Sequence, residues 1–189
     1  MQSQPIAKDY APVRFPNAEA AVAWADEVLS KPGTVDHIGK LTKTGGGNLS
    51  FEDVKAYALT VSAVIARINP FTAGYVFRCV YGDFLLTNKD AMIMDVARLI
   101  AENKAAKFVA THKLRALAAV VIVAKAEEAN TSGKYPRARI AEAIGIKRQS
   151  SYDKPWSILI PEATKIVEGL IESAKAQIEG ELEQKGMIY

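Results

Sequence analysis

Gly145 follows Ala141 by four residues, and just beyond it stand Lys147, Arg148, Gln149, Ser150, Tyr152 and Lys154. Arginine and glutamine carry planar forks that match the edges of guanine and adenine in the major groove, whereas lysine, serine and tyrosine commonly hold phosphates. The chemistry on offer is readout of a DNA duplex, with Arg137 and Arg139 as further cationic groups just upstream. Such chemistry needs a positioning device. In a helix-turn-helix, a small residue on the first helix lets the second approach, a glycine takes the left-handed turn, and apolar residues hold the crossing. Ala141, Gly145 and the trio Ile140, Ile144 and Ile146 fit that pattern, and place a second helix from Lys147 to about Lys154. Ser151 stands where an apolar anchor is usual and Pro155 cuts the helix short, so Tyr152 or Trp156 has to anchor it. The competing reading is a corner: Gly145 ends one helix by a left-handed cap and the following KRQSS is a solvated connector.

Charge favours the reading head. The formal net charge is only +3, but residues 103–154 carry eleven basic and four acidic side chains, against ten and eleven in residues 1–102 and three and six in residues 155–189. A local excess of this kind is the electrostatic footprint expected of a nucleic-acid contact surface.

The elements that must carry this stretch are helices. Asn17 caps AEAAVAWADEVLS, which stops before Lys31, Pro32 and Gly33. Ser50 and Asp53 form a capping box for FEDVKAYALTVSAVIARI, closed by Asn69 and Pro70, and FTAGYVFRCVY ends at Gly82. Thr87, with Asp90 three residues on, opens a helix with Met92, Val96, Leu99 and Ile100 on one side. HKLRALAAVVIVAKAEEA is a long helix with a buried apolar run from Ala116 to Ala124, too short and too closely flanked by charge to span a membrane. Pro136 suits the first turn of the next helix, and Pro161 that of PEATKIVEGLIESAKAQIEGELEQ, whose apolar stripe keeps helical spacing for about six turns. No alternating strand pattern competes. The expected fold is all-α: an extended arm over residues 1–16, a helical body over 17–130, and a helix-turn-helix-like module with a long final amphipathic helix over 131–189. Gly45, Gly46 and Gly47 mark a further joint.

Other chemistries find little support. One cysteine excludes an internal disulfide and a multi-thiolate zinc site, and Cys79, inside GYVFRCVYG, sits where an ordinary buried thiol sits. His37 and His112 are too far apart for a helical metal pair. The segments GKLT and GKY lack phosphate-loop spacing, and the carboxylates are scattered over presumed helix surfaces. Phe71, Tyr75, Phe77, Tyr81 and Phe84 surround Arg78 with spacing that suits a core better than base stacking. No catalytic set and no cofactor are expected. The N-terminus shows no secretion signal, so the cytoplasm is the expected compartment.

The run THKLRALAAVVIVAKAEEANTSGK, the basic segment after it and KPWSILIPEATKIVEGLIE, over residues 111–180, resemble the C-terminal half of bacteriophage late-gene antitermination proteins of the lambdoid Q class. The resemblance implies a protein that binds double-stranded DNA near a late promoter, engages host RNA polymerase and its sigma factor, and promotes read-through of terminators. It also implies a DNA-contact role for Arg148, Gln149 and their neighbours. Zinc-bearing members carry a cysteine cluster where this chain has SGKYPRARI, so the resemblance is to a zinc-free type. Two other functions stay open on sequence: a small DNA-packaging (terminase) subunit, which must form a ring, and a helical adaptor binding protein through residues 161–185. The acidic outer face of the final helix leaves room for a homo-oligomer.

Overall fold

The computed structural model describes residues 13–30, 50–82, 89–131, 133–147 and 153–189. They form an all-helical protein of seven α-helices: α1 (Ala18–Ser30), α2 (Phe51–Ala66), α3 (Phe71–Tyr81), α4 (Lys89–Ala101), α5 (Thr111–Thr131), α6 (Arg137–Ala143) and α7 (Trp156–Gln184). A 3-10 segment, Lys104–Phe108, joins α4 to α5. No helix among the described residues is long and apolar enough to cross a membrane.

The starting signals act as their chemistry requires. Asn17 Oδ1 accepts the Ala20 N–H at 2.9 Å and caps α1. Ser50 Oγ accepts the Asp53 N–H at 3.1 Å while Asp53 Oδ2 accepts the Ser50 N–H at 3.1 Å, a complete capping box. Thr87 and the triple glycine lie outside the described residues.

Helices α3 and α7 run through the middle of the packing, each touching α1, α2, α4 and α5. Gly74 lets α3 come close to α2, since a Cβ there would lie 2.8 Å from the Ile65 carbonyl oxygen. One continuous apolar cluster extends from Val13 to Met187. The extended segment before α1 belongs to it: Phe15 donates its N–H to the Met187 carbonyl at 2.8 Å, and its ring lies 5.1 Å from that of Trp24. In α4, Met92, Val96 and Ile100 are buried as expected, whereas Leu99 is on the rim.

One helix start differs from expectation. The final helix begins at Trp156, five residues before Pro161, which sits exposed inside it. Leu159 and Ile160 are buried, and their packing outweighs the amide hydrogen bond that proline cannot donate to the Ser157 carbonyl. The stripe beyond, including Ala163, Val167, Leu170, Ala174, Ile178 and Leu182, is buried in the protein's own core. That stripe is therefore taken up by packing within the protein itself.

Arg78, half-buried on α3, ties that helix to Asp26 of α1. Its Nε donates to Asp26 Oδ1 at 2.7 Å and Oδ2 at 2.9 Å, and its Nη2 also donates to Oδ1. Phe71 and Tyr75 pack edge to face at 5.7 Å, and Phe77 and Tyr81 lie 4.7 Å apart. Cys79 Sγ is 3.6 Å from Met92 Sδ, and burial pushes its thiol pKa up to about 12, so it is held as an unreactive thiol.

Candidate nucleic-acid interface

Helix α6 begins after Pro136 and ends in a complete left-handed cap. Gly145 has φ +72°, its N–H donates to the Glu142 carbonyl at 2.9 Å, and the Ile146 N–H donates to the Ala141 carbonyl at 2.9 Å. These are the paired bonds of a Schellman motif, with Ile146 as the apolar residue after the turn. Ile140, Ala141 and Ile144 are buried, which leaves Arg139, Glu142 and Ala143 on the outer face. An alanine at 145 would force a side-chain-bearing residue into left-handed backbone 3.2 Å from Lys113 Nζ. Gly145→Ala is expected to lower the unfolding free energy by about 1–2 kcal/mol. Urea denaturation checks this, and an unchanged midpoint would mean that the turn does not hold the helix.

Two anchors fix this corner. At its start, Glu128 Oε1 accepts the Tyr135 N–H at 2.6 Å, and Glu128 Oε2 accepts from Lys125 Nζ at 2.7 Å. Lys125 also reaches Glu168 on α7 at 2.5 Å. Burial opposes the charged forms of both Glu128 and Lys125, but the hydrogen bonds between them and from the Tyr135 amide outweigh it, so the Glu128 pKa falls and the Lys125 pKa rises. At the other end, Lys113 Nζ donates to the Ile144 carbonyl at 2.7 Å, taking up a free carbonyl at the end of α6.

Glu128→Gln is expected to cost about 1 kcal/mol at neutral pH, because the charge-assisted bond to Lys125 weakens. A carboxyl whose folded pKa is depressed contributes stability above its unfolded value, 4.5 here, and that contribution is lost as pH falls through the lower folded value. The gap between wild type and variant should therefore close in acid, as thermal melts at pH 7 and pH 3 will show. A gap that persists at pH 3 would assign the effect to shape and not to charge.

The residues expected to touch nucleic acid divide into three groups. Arg139, Lys147 and Lys154 are exposed, with the Arg139 guanidinium 5.8 Å from the centre of the Tyr135 ring. Arg137 is half-buried instead, and its Nη2 donates to the Trp156 carbonyl at 3.4 Å, tying the start of α6 to the start of α7. Arg148, Gln149, Ser150 and Tyr152 lie outside the described residues. The expected second helix finds no support at its described ends: Lys147 is not helical, and Asp153, Lys154 and Pro155 form a bend and turn ahead of α7. Trp156 begins α7 and is already packed against the core.

No family model, curated protein or solved structure matches this chain.

The bond from Lys113 to Ile144 brings the start of α5 beside the Gly145 turn. From Asn103 to Ala126 the chain has no Asp or Glu, and Lys104, Lys107, His112 and Arg115 are exposed. The start of α5, with His112 and Arg115 beside Lys113, thus meets the turn and Lys147 at one end of the molecule, where basic side chains outnumber the exposed acid Glu142. In the sequence, Lys104, Lys107 and Arg115 belong to the basic block, but no motif assigns them to the site. The acid-free run was the available signal, and its nearness to Gly145 depends on how α5 and α6 pack.

Proposed function

We propose that this protein binds duplex DNA through the cationic end formed by the α6 turn and the start of α5. The observation that supports this most strongly is the Lys113 to Ile144 hydrogen bond, which joins an acid-free basic stretch to Arg139, Gly145 and Lys147. A polyanion is the natural partner for such a surface, and release of its counterions supplies the affinity. Sequence discrimination then rests with Arg148 and Gln149, whose side chains suit guanine and adenine edges.

The resemblance over residues 111–180 extends this to a regulator of phage late transcription. In that role the protein binds DNA near a promoter, loads onto host RNA polymerase with its sigma factor, promotes read-through of terminators and has no catalytic activity of its own.

Selection of bound duplexes from a random library tests the reading. The wild-type chain should enrich one motif, and Lys147→Ala/Arg148→Ala should lose it. A template carrying that motif upstream of a terminator should then give more read-through transcript with the protein than without it. Enrichment without read-through would leave a DNA-binding protein and remove the antiterminator role. Absence of any enrichment would remove sequence readout by this corner, and absence of salt-dependent duplex binding as well would make it purely structural.

A further inference from the structure

Phe108 is 94% exposed, far more than any other large apolar side chain among the described residues, and it is not on a floppy end. It closes the 3-10 segment Lys104–Phe108, which Asn103 caps by accepting the Ala105 N–H at 2.9 Å. The Val109 N–H donates to the Ala106 carbonyl at 2.9 Å, and Ala106 is buried. The backbone thus holds an aromatic ring out in water from a fixed base. Lys107 and Lys104 stand one and four residues before it, both exposed, and no acidic residue follows until Glu127.

An apolar side chain presented this way fits insertion into a partner, and the surrounding charge decides which partner. Proteins that kink DNA insert phenylalanine and similar apolar wedges between base pairs, while neighbouring cations hold the phosphates on either side. We propose that Phe108 is such a wedge, stacking on a base step of duplex DNA with Lys104 and Lys107 on the flanking phosphates. The proposal rests on the DNA-binding reading and extends it to a second contact: Lys113 comes only five residues after Phe108 and reaches the α6 turn, so wedge and turn lie at the same end of α5. One duplex engaged at both places would be bent between them.

Phe108→Trp places a reporter at an exposed position, against the buried background of Trp24 and the partly buried Trp156. Titration with a short duplex should quench the added emission, as stacking on bases does. Phe108→Ala should weaken binding about tenfold while leaving the dependence of affinity on salt unchanged, because no charge is removed. Lys104→Ala/Lys107→Ala should instead make that dependence shallower. Full duplex binding with unaltered emission from residue 108 and no loss in Phe108→Ala would overturn the wedge and leave DNA binding standing. A blue shift on anionic phospholipid vesicles with no response to duplex would reassign Phe108 to a lipid surface. If the wild-type chain binds no duplex at all, the wedge and the DNA reading fall together.

Discussion

Replacing Asp26 by alanine is expected to lower the unfolding free energy by about 3–5 kcal/mol. The Asp26 side chain is only 2% exposed and the Arg78 side chain 15%, and Arg78 directs both Nε and Nη2 at the carboxylate. Removing the acid leaves a largely desolvated guanidinium with its main counter-charge gone, and that desolvation cost is what makes the loss large. Arg78→Ala should be similarly damaging for the mirror-image reason. The double replacement Asp26→Ala/Arg78→Met should cost well under the sum of the two, because no stranded charge remains and methionine fills part of the space. Equilibrium unfolding in urea of the two single variants and the double one measures this coupling. Additive losses would show that the pair contributes as two independent side chains.

The second large effect concerns affinity. Arg139→Glu/Lys147→Glu is expected to weaken duplex binding on the order of 100-fold at moderate salt and to reduce the log–log salt slope by about 2, since two phosphate contacts are lost. Both side chains are exposed, so the fold should be nearly untouched, with a stability change within about 0.5 kcal/mol. That separation of affinity from stability is the informative feature. If binding is unchanged, neither residue faces DNA. If binding and thermal stability fall together, the variant reports on folding and not on the interface. Arg137 makes the natural contrast: its bond to the Trp156 carbonyl ties α6 to α7, so Arg137→Ala should act mainly through stability.

Much of the architecture could be read directly from local chemistry. Asn17 and the Ser50/Asp53 box mark helix starts because their side chains satisfy amides that the helix leaves free, and Gly145 marks an end for an equally local reason, its left-handed backbone. Pro161 misled because proline signals a first turn, whereas burial of Leu159 and Ile160 carries the helix through it. That gain comes from distant partners and has no local trace.

The candidate site was less legible. The Gly145 turn follows from spacing, but a left-handed cap serves a reading head and a plain corner alike. Arg137 and Arg139 are two residues apart with the same charge, and only packing sends one against Trp156 and the other into solvent. Arg78 and Asp26 are 52 positions apart, so no motif could pair them. Phe108 looks like a core residue by composition, and nothing in KAAKF shows that its ring stays outside.

The most direct test of DNA binding at this end of the molecule is the salt dependence of affinity for a short labelled duplex of random sequence, followed by fluorescence anisotropy between about 50 and 200 mM salt. Engagement of Arg139, Lys147 and at least two of the neighbouring lysines predicts a log–log slope of about −3 to −4. Such a slope, made shallower by the charge reversals, would establish a cationic DNA-binding end. No measurable binding at the lowest salt, or a slope near zero, would contradict it.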